Sequence, residues 1–180
     1  MLMNPATSAL LVIDVQERLA PAIHDGEQVA RNCAWLAGLA ARVGVPVVVT
    51  EHFPAKIGAT LPAVAAAAAG AEFVTKECFS AQGDGCLGRT AVDARRQVVV
   101  CGTEAHVCVQ QTALELRWAG KQVFVVADAC GSRNPADREF AFARMRAHGL
   151  EIVSREMVAF EWLQRGGTEL FREINRDFIR

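Results

Sequence analysis

The chain has 180 residues, of which 52% are hydrophobic and 22% charged, and its formal net charge is −1. A chain of this length buries about 70% of the surface that its unfolded form exposes, so it does not need a disulfide or a metal in order to fold. The balanced charge gives no electrostatic reason to expect nucleic acid or an anionic membrane as a partner. We therefore expect a single domain over residues 1–180 whose partners are small molecules or further copies of itself.

Two further features concern the cellular compartment. No apolar run reaches the roughly 20 residues of a membrane helix, and residues 1–7 lack the basic start and apolar block of a signal peptide, which predicts a cytoplasmic protein. The six cysteines are irregularly spaced in a core-rich chain, which favours free thiols over a disulfide framework. Cys101 and Cys130 lie in or just after apolar runs, where cysteine behaves as a small hydrophobic residue.

The first half of the chain alternates apolar runs with helical patterns. Ser8–Asp14 is an apolar run that ends in a carboxylate, which is typical of a central parallel strand. After it, the pattern predicts a helix over 27–43 ended by Gly44, a strand over 45–50, an alanine-rich helix over 61–69 and a strand over 72–76. The last of these strands ends in Lys76, and a glycine-containing loop follows over 80–88.

The second half continues the alternation. The pattern predicts strands over 97–101, 122–127 and 150–153, a helix over 106–119, a helix from the Asn134 cap to about 148, and closing helices over 157–164 and 168–179. Strands that alternate with helices indicate an α/β fold with right-handed crossovers. We predict a three-layer, doubly wound, six-stranded parallel sheet of Rossmann-like type, with strand order 3-2-1-4-5-6.

This order puts the carboxyl ends of strands one and four side by side, at the switch point where such folds bind ligands. Asp14 and Cys108 would then face one crevice. Lys76 ends a strand on the same edge and would reach the crevice across the end of strand two.

Cys108 follows a strand-to-helix turn. Gly102 breaks the apolar run of strand four, and apolar positions recur at helical spacing from His106, so we expect Cys108 in the first turn of a helix. Free N–H groups, the helix dipole and a nearby ammonium favour a thiolate there. Asp14 would accept the thiol proton and later give it to a leaving amine, while backbone N–H groups of the turn would bind an oxyanion.

Each of these residues alone also has a structural interpretation. An aspartate at a strand end often caps a loop or pairs with a basic residue, and a cysteine at a helix start is more often packed than catalytic. The convergence of Asp14, Lys76 and Cys108 on one edge of the sheet is what favours a catalytic site.

Three motifs together resemble the isochorismatase-like cysteine hydrolases. Leu11–Gln16 is similar to the family's opening strand with its aspartate, Thr75–Lys76 to its lysine strand, and Gly102–Val109 to its nucleophile turn. The resemblance runs nearly from end to end of the chain.

The resemblance implies a catalytic triad of Asp14, Lys76 and Cys108 and a non-proline cis peptide at Thr103–Glu104. It also implies attack of Cys108 on an amide-like carbonyl, loss of an amine, hydrolysis of the thioester, and self-association into dimers or larger assemblies. The remaining site residues form two groups: an oxyanion hole of the backbone N–H groups of Glu104, Ala105 and Cys108, and a substrate pocket lined by Phe53, Phe79 and His106.

Two departures from the family narrow the prediction. The nicotinamidase branch carries an Asp-x-His metal motif with a further histidine, whereas this chain has Glu51-His52 and no other histidine until His106. Two adjacent ligand types without a third make a poor zinc site, so we predict no metal and no cofactor. True isochorismatases lack the cysteine nucleophile, so Cys108 argues against their vinyl ether substrate. The prediction is a metal-free cysteine amidohydrolase of a small amide.

Two other classes of protein remain open. The fold also suits a non-catalytic small-molecule-binding or assembly protein, which would be favoured if Asp14 and Lys76 lay far from the Cys108 sulfur. A nucleotide-binding Rossmann enzyme would need a Gly-x-Gly-x-x-Gly motif after strand one, and the sequence has none there.

Overall fold

A computed structural model describes residues 1–180, and its centre is a six-stranded parallel sheet with helices on both faces. The strands are β1 (Ser8–Ile13), β2 (Val47–His52), β3 (Glu72–Lys76), β4 (Gln97–Thr103), β5 (Gln122–Gly131) and β6 (Glu151–Val153). They are ordered β3-β2-β1-β4-β5-β6, and every neighbouring pair is parallel. The predicted fold class and strand order are therefore confirmed.

Nine α-helices connect and cover the strands. They are α1 (Gly26–Val43), α2 (Pro54–Ile57), α3 (Pro62–Ala67), α4 (Ala81–Asp84), α5 (Ala91–Ala94), α6 (Gln110–Trp118), α7 (Pro135–Ala147), α8 (Arg155–Leu163) and α9 (Glu169–Ile174). Two π-helical turns occur, at Ala105–Val109 between β4 and α6 and at Asn175–Ile179 after α9. None of the helices combines the length and the apolar character needed to cross a membrane.

The core lies around β1 and β4, in which every residue is buried. Parallel strands covered on both faces are continuously apolar, which is why these two runs could be recognised from their composition. At their carboxyl ends Ile13 pairs with Gly102, whose φ is +123°. A Cβ on Gly102 would lie 2.0 Å from Ile13 O, so only glycine allows the two strands to meet this closely.

Several predicted boundaries are wrong by a few residues. β4 and β5 run on to Thr103 and Gly131, because Gly102 and Thr103 pair with Cys130 and Gly131 after a register shift in the ladder. These small and polar residues gain strand structure from pairing, which local composition does not indicate. The alanine-rich helix ends at Ala67, two residues early.

The other differences are small. β2 begins at Val47 and continues to His52, and β6 begins at Glu151. Helices α2, α4 and α5 were not predicted, because four residues are too few to display a helical period. All six cysteines are free.

Candidate active site

Asp14 follows directly after β1 and is completely buried, with a left-handed backbone (φ +51°). Thr50 Oγ1, from β2, donates a 2.6 Å hydrogen bond to its Oδ1. Thr103 Oγ1, from the end of β4, donates a 2.7 Å hydrogen bond to the backbone oxygen of Asp14. The two strands that flank β1 therefore fix the carboxylate and the backbone of this residue.

Lys76 is the last residue of β3 and is paired in register with His52 of β2. Its side chain crosses the end of β2, so that Nζ lies 2.7 Å from Asp14 Oδ2, and both side chains are fully buried. Nζ also donates to the carbonyl oxygens of Cys78 (3.2 Å) and Phe79 (3.1 Å). The ammonium is thus bound by oxygen atoms from its own loop and from Asp14.

Asp14 Oδ2 is a buried side-chain oxygen that accepts no hydrogen bond of regular geometry. It lies 2.7 Å from the Lys76 ammonium nitrogen, which is ion-pair distance. A carboxylate oxygen to which no donor is hydrogen-bonded keeps lone pairs that are free to accept one.

Cys108 lies in the π-helical turn Ala105–Val109, and α6 begins only at Gln110. Cys108 therefore lies in the first turn of a helical segment, as predicted, but this turn is π-helical and begins at Ala105 instead of His106. The N–H groups of Val107 and Val109 both donate to Glu104 O, at 3.1 Å, and the bond from Val109, five residues after Glu104, widens the turn. The apolar spacing on which the prediction rested is similar for either kind of turn, so the sequence contains no signal that separates them.

The Cys108 residue is 6% exposed, and Asp14 and Lys76 are the two charged residues that act on the pKa of its thiol. Burial raises the pKa of the Cys108 thiol to about 12, the negative charge of Asp14 adds to this, and Lys76 opposes it. The sulfur is therefore protonated at neutral pH, and the expected resting thiolate is wrong. A nucleophilic reaction at this sulfur would have to remove that proton, and Asp14 is the carboxylate that acts on the thiol.

The two predicted aromatic pocket residues lie beside His52, which the sequence analysis did not single out as a site residue. Its ring centroid is 4.8 Å from that of Phe53 and 5.6 Å from that of Phe79. Phe53 lines a cavity of about 280 Å³ together with Lys76, and Phe79 is exposed. Phe53 therefore lies beside Lys76, and Phe79 lies at the surface next to His52.

His52 Nδ1 lies 3.5 Å from Lys76 Nζ. Burial and the positive charge of Lys76 both lower the pKa of His52, so the imidazole is neutral at neutral pH. His52 reaches Lys76 through the register of β2 against β3. Local sequence does not show this register, so His52 was not predicted to contact the site.

His106 and Glu104 both contact the loop that follows β5. His106 Nδ1 lies 2.9 Å from Ser132 Oγ, and Glu104 Oε2 accepts hydrogen bonds from Arg133. The peptide bond between Thr103 and Glu104 is cis. Glu104 and Ala105, the predicted oxyanion-hole residues, lead directly into the turn that holds Cys108.

The side chains do not group three or more histidine, cysteine or acidic residues in a way that would hold a metal ion. The Glu51 carboxylate accepts hydrogen bonds from Thr60 N (2.7 Å) and Thr60 Oγ1 (2.8 Å). The neighbouring His52 faces the Lys76 ammonium, whose positive charge disfavours a cation at that nitrogen.

A family model and individual known proteins both match this chain. The isochorismatase domain model matches residues 8–157. Isochorismatase domain-containing protein 2A of Mus musculus is 34% identical over 175 residues, which cover 96% of this chain and 82% of the mouse protein.

Two solved structures are similar over almost the whole chain. A Caenorhabditis elegans protein described as MAR1 ribonuclease has a TM-score of 0.91 and 31% identity, covering 98% of this chain and 91% of its own. The Escherichia coli YcaC product, described as an octameric hydrolase of unknown specificity, has a TM-score of 0.91 and 24% identity, covering 99% and 91%. The chain belongs to the isochorismatase domain family.

Proposed function

We propose that the protein is a cysteine-dependent hydrolase that cleaves a small amide-like substrate through a thioester on Cys108. The observation that carries this proposal is the meeting of a thiol, a carboxylate and an ammonium at one edge of the sheet. Family membership supports a hydrolase, because a solved relative of the same fold is described as one.

In the first half-reaction the Cys108 sulfur attacks the carbonyl carbon while its proton passes to Asp14. The carbonyl oxygen becomes an oxyanion, which the backbone N–H groups of Glu104, Ala105 and Cys108 stabilise. The C–N bond then breaks, Asp14 returns the proton to the leaving nitrogen, and an amine and a thioester result.

In the second half-reaction Asp14 takes a proton from a water molecule whose oxygen attacks the thioester carbon. The C–S bond breaks, the sulfur recovers the proton from Asp14, and the acid product leaves. Because the pKa of the Cys108 thiol is raised to about 12, the first and last of these transfers move a proton between sulfur and carboxylate, and no preformed thiolate is used. Lys76 keeps the Asp14 carboxylate in place through the buried ion pair.

We expect a small substrate. Phe53 and Lys76 line a cavity of about 280 Å³ at this edge of the sheet, and Cys108 is not among the residues that line it. We place Phe79 and His106 at the rim of the substrate site. The Caenorhabditis elegans relative is described as a ribonuclease, but RNA-binding surfaces are strongly basic and this chain has a net charge of −1. A nearly buried sulfur also suits a small molecule better than a polymer.

The test is amine release from a panel of small amides, measured for the native protein and for Cys108→Ala. We expect turnover of at least one amide, with loss of that turnover in the variant. Turnover that persists in Cys108→Ala contradicts the proposal, and so does cleavage of RNA by the native protein without cleavage of any amide.

A further inference from the structure

Glu104 carries a buried carboxylate for which the mechanism above has no use. The residue is 7% exposed and immediately precedes the turn that holds Cys108. Its Oε2 accepts two hydrogen bonds from Arg133, one from the backbone N–H and one from Nε, both 3.0 Å long. Hydrogen bonds to a charged oxygen are about twice as strong as neutral ones, so this contact is a firm attachment.

Arg133 lies in the loop between β5 and α7, so the contact joins two separate parts of the chain. The same loop provides Ser132, whose hydroxyl contacts His106 within the turn. The backbone oxygen of Glu104 in turn accepts the N–H groups of Val107 and Val109. The carboxylate of Glu104 therefore fixes Glu104 itself, and the carbonyl of the same residue sets the geometry of the turn.

We propose that Glu104 and Arg133 form a positioning pair that aims the backbone N–H groups of the turn at the developing oxyanion. This inference rests on the proposed function. Oxyanion donors act only when they lie about 2.7–3.1 Å from the oxygen, and a displacement of about 1 Å can cost a hundredfold in rate. A carboxylate that ties the turn to a neighbouring loop prevents that displacement.

Two reactions at the same sulfur separate this role from a merely structural one. Acylation by p-nitrophenyl acetate forms an S–C bond, releases p-nitrophenolate, transfers the thiol proton to Asp14, and passes through an oxyanion. Alkylation by iodoacetamide also forms an S–C bond at this sulfur, breaks the C–I bond and releases iodide and the thiol proton, but it involves no oxyanion. A positioning pair affects the first reaction and spares the second.

The experiment measures both rates at Cys108 by peptide mass spectrometry, with Cys108→Ala as the baseline. We expect Glu104→Gln, which keeps a neutral acceptor, to slow acylation about tenfold, and Glu104→Ala about a hundredfold. Alkylation should stay within about twofold of the native rate in both variants. Because 63% of the Arg133 side chain is exposed, Arg133→Ala is expected to fold, and it should match Glu104→Gln.

Glu173→Gln is the matched control. It likewise replaces a carboxylate by a neutral acceptor in the exposed Glu173–Arg42 pair (3.1 Å), on α9 and α1, and should change neither rate. Equal losses in acylation and alkylation, or no loss in either, would overturn the positioning role. If the native protein is acylated no faster than Cys108→Ala, the proposed function itself fails, and this is seen without any Glu104 variant.

Discussion

The side chains of Asp14 and Lys76 form a fully buried ion pair, and removing one partner leaves an uncompensated charge in the core. We predict that Asp14→Asn lowers the free energy of unfolding by about 3–5 kcal/mol. Urea denaturation measures this change. The double variant Asp14→Asn/Lys76→Met removes both charges and should regain much of the lost stability. A double variant no more stable than the single one would contradict this account.

The raised pKa of the Cys108 thiol, about 12, determines how the rate of its alkylation should depend on pH. Since only the thiolate is strongly nucleophilic, the rate of iodoacetamide labelling should rise with pH without a plateau up to about pH 10. Labelling of the exposed Cys78 should be faster at neutral pH, because access does not limit it. Lys76→Met should slow Cys108 labelling further, since the lysine lowers the thiol pKa. Peptide mapping at several pH values measures these rates, and a plateau near pH 8 would contradict the assignment.

At the level of residues, the sequence predicted which groups meet but not their protonation state. Asp14 and Lys76 were recognisable because Asp14 directly follows one strand and Lys76 ends another, and parallel strands share one carboxyl edge. The pKa of Cys108 depends on how tightly the fold covers the sulfur, which no spacing of residues reveals. The Glu104–Arg133 contact was missed for a similar reason, since it depends on how the loop after β5 folds back.

Among the elements, the contact between β1 and β4 at the switch point sets the position of the site. A Cβ on Gly102 would lie 2.0 Å from Ile13 O, and the residue also has a positive φ. We predict that Gly102→Ala lowers the free energy of unfolding by about 3 kcal/mol or more, because it adds overlap to backbone strain.

Gly44→Ala is the control for this substitution. Gly44 also has a positive φ, +74°, but nothing lies within 4 Å of its added Cβ, so only the backbone strain of about 1–2 kcal/mol applies. Thermal or urea unfolding of the two variants measures the difference. Equal losses would show that the close approach of β1 and β4 does not carry the effect.

The order of the strands was predictable because six apolar runs alternate with helical patterns and crossovers have one hand. The extension of β5 to Gly131 and the π-helical turn before α6 could not be predicted. Both features depend on pairing and hydrogen bonding at the carboxyl edge of β4, between segments that are distant in the chain. The site is built on these non-local features, and local sequence patterns therefore do not indicate its geometry.

For the whole molecule we propose a homo-oligomer. Trp118 and Phe140 are large aromatic residues that are 66% and 72% exposed. Large exposed aromatic side chains are favourable in contacts between subunits. Light scattering coupled to size-exclusion chromatography should give a multiple of the 19.4 kDa chain mass. A single species of that mass at micromolar concentration would contradict this proposal.

The central claim is that Cys108 carries the acyl group, and mass spectrometry of the rapidly quenched reaction with p-nitrophenyl acetate tests it most directly. We predict one acetyl group per chain on the peptide that contains Cys108. It should form much more slowly in Asp14→Asn, and Cys108→Ala should carry none at this position. Acylation confined to other residues such as Cys78, or equal labelling of native protein and Asp14→Asn, would contradict the account.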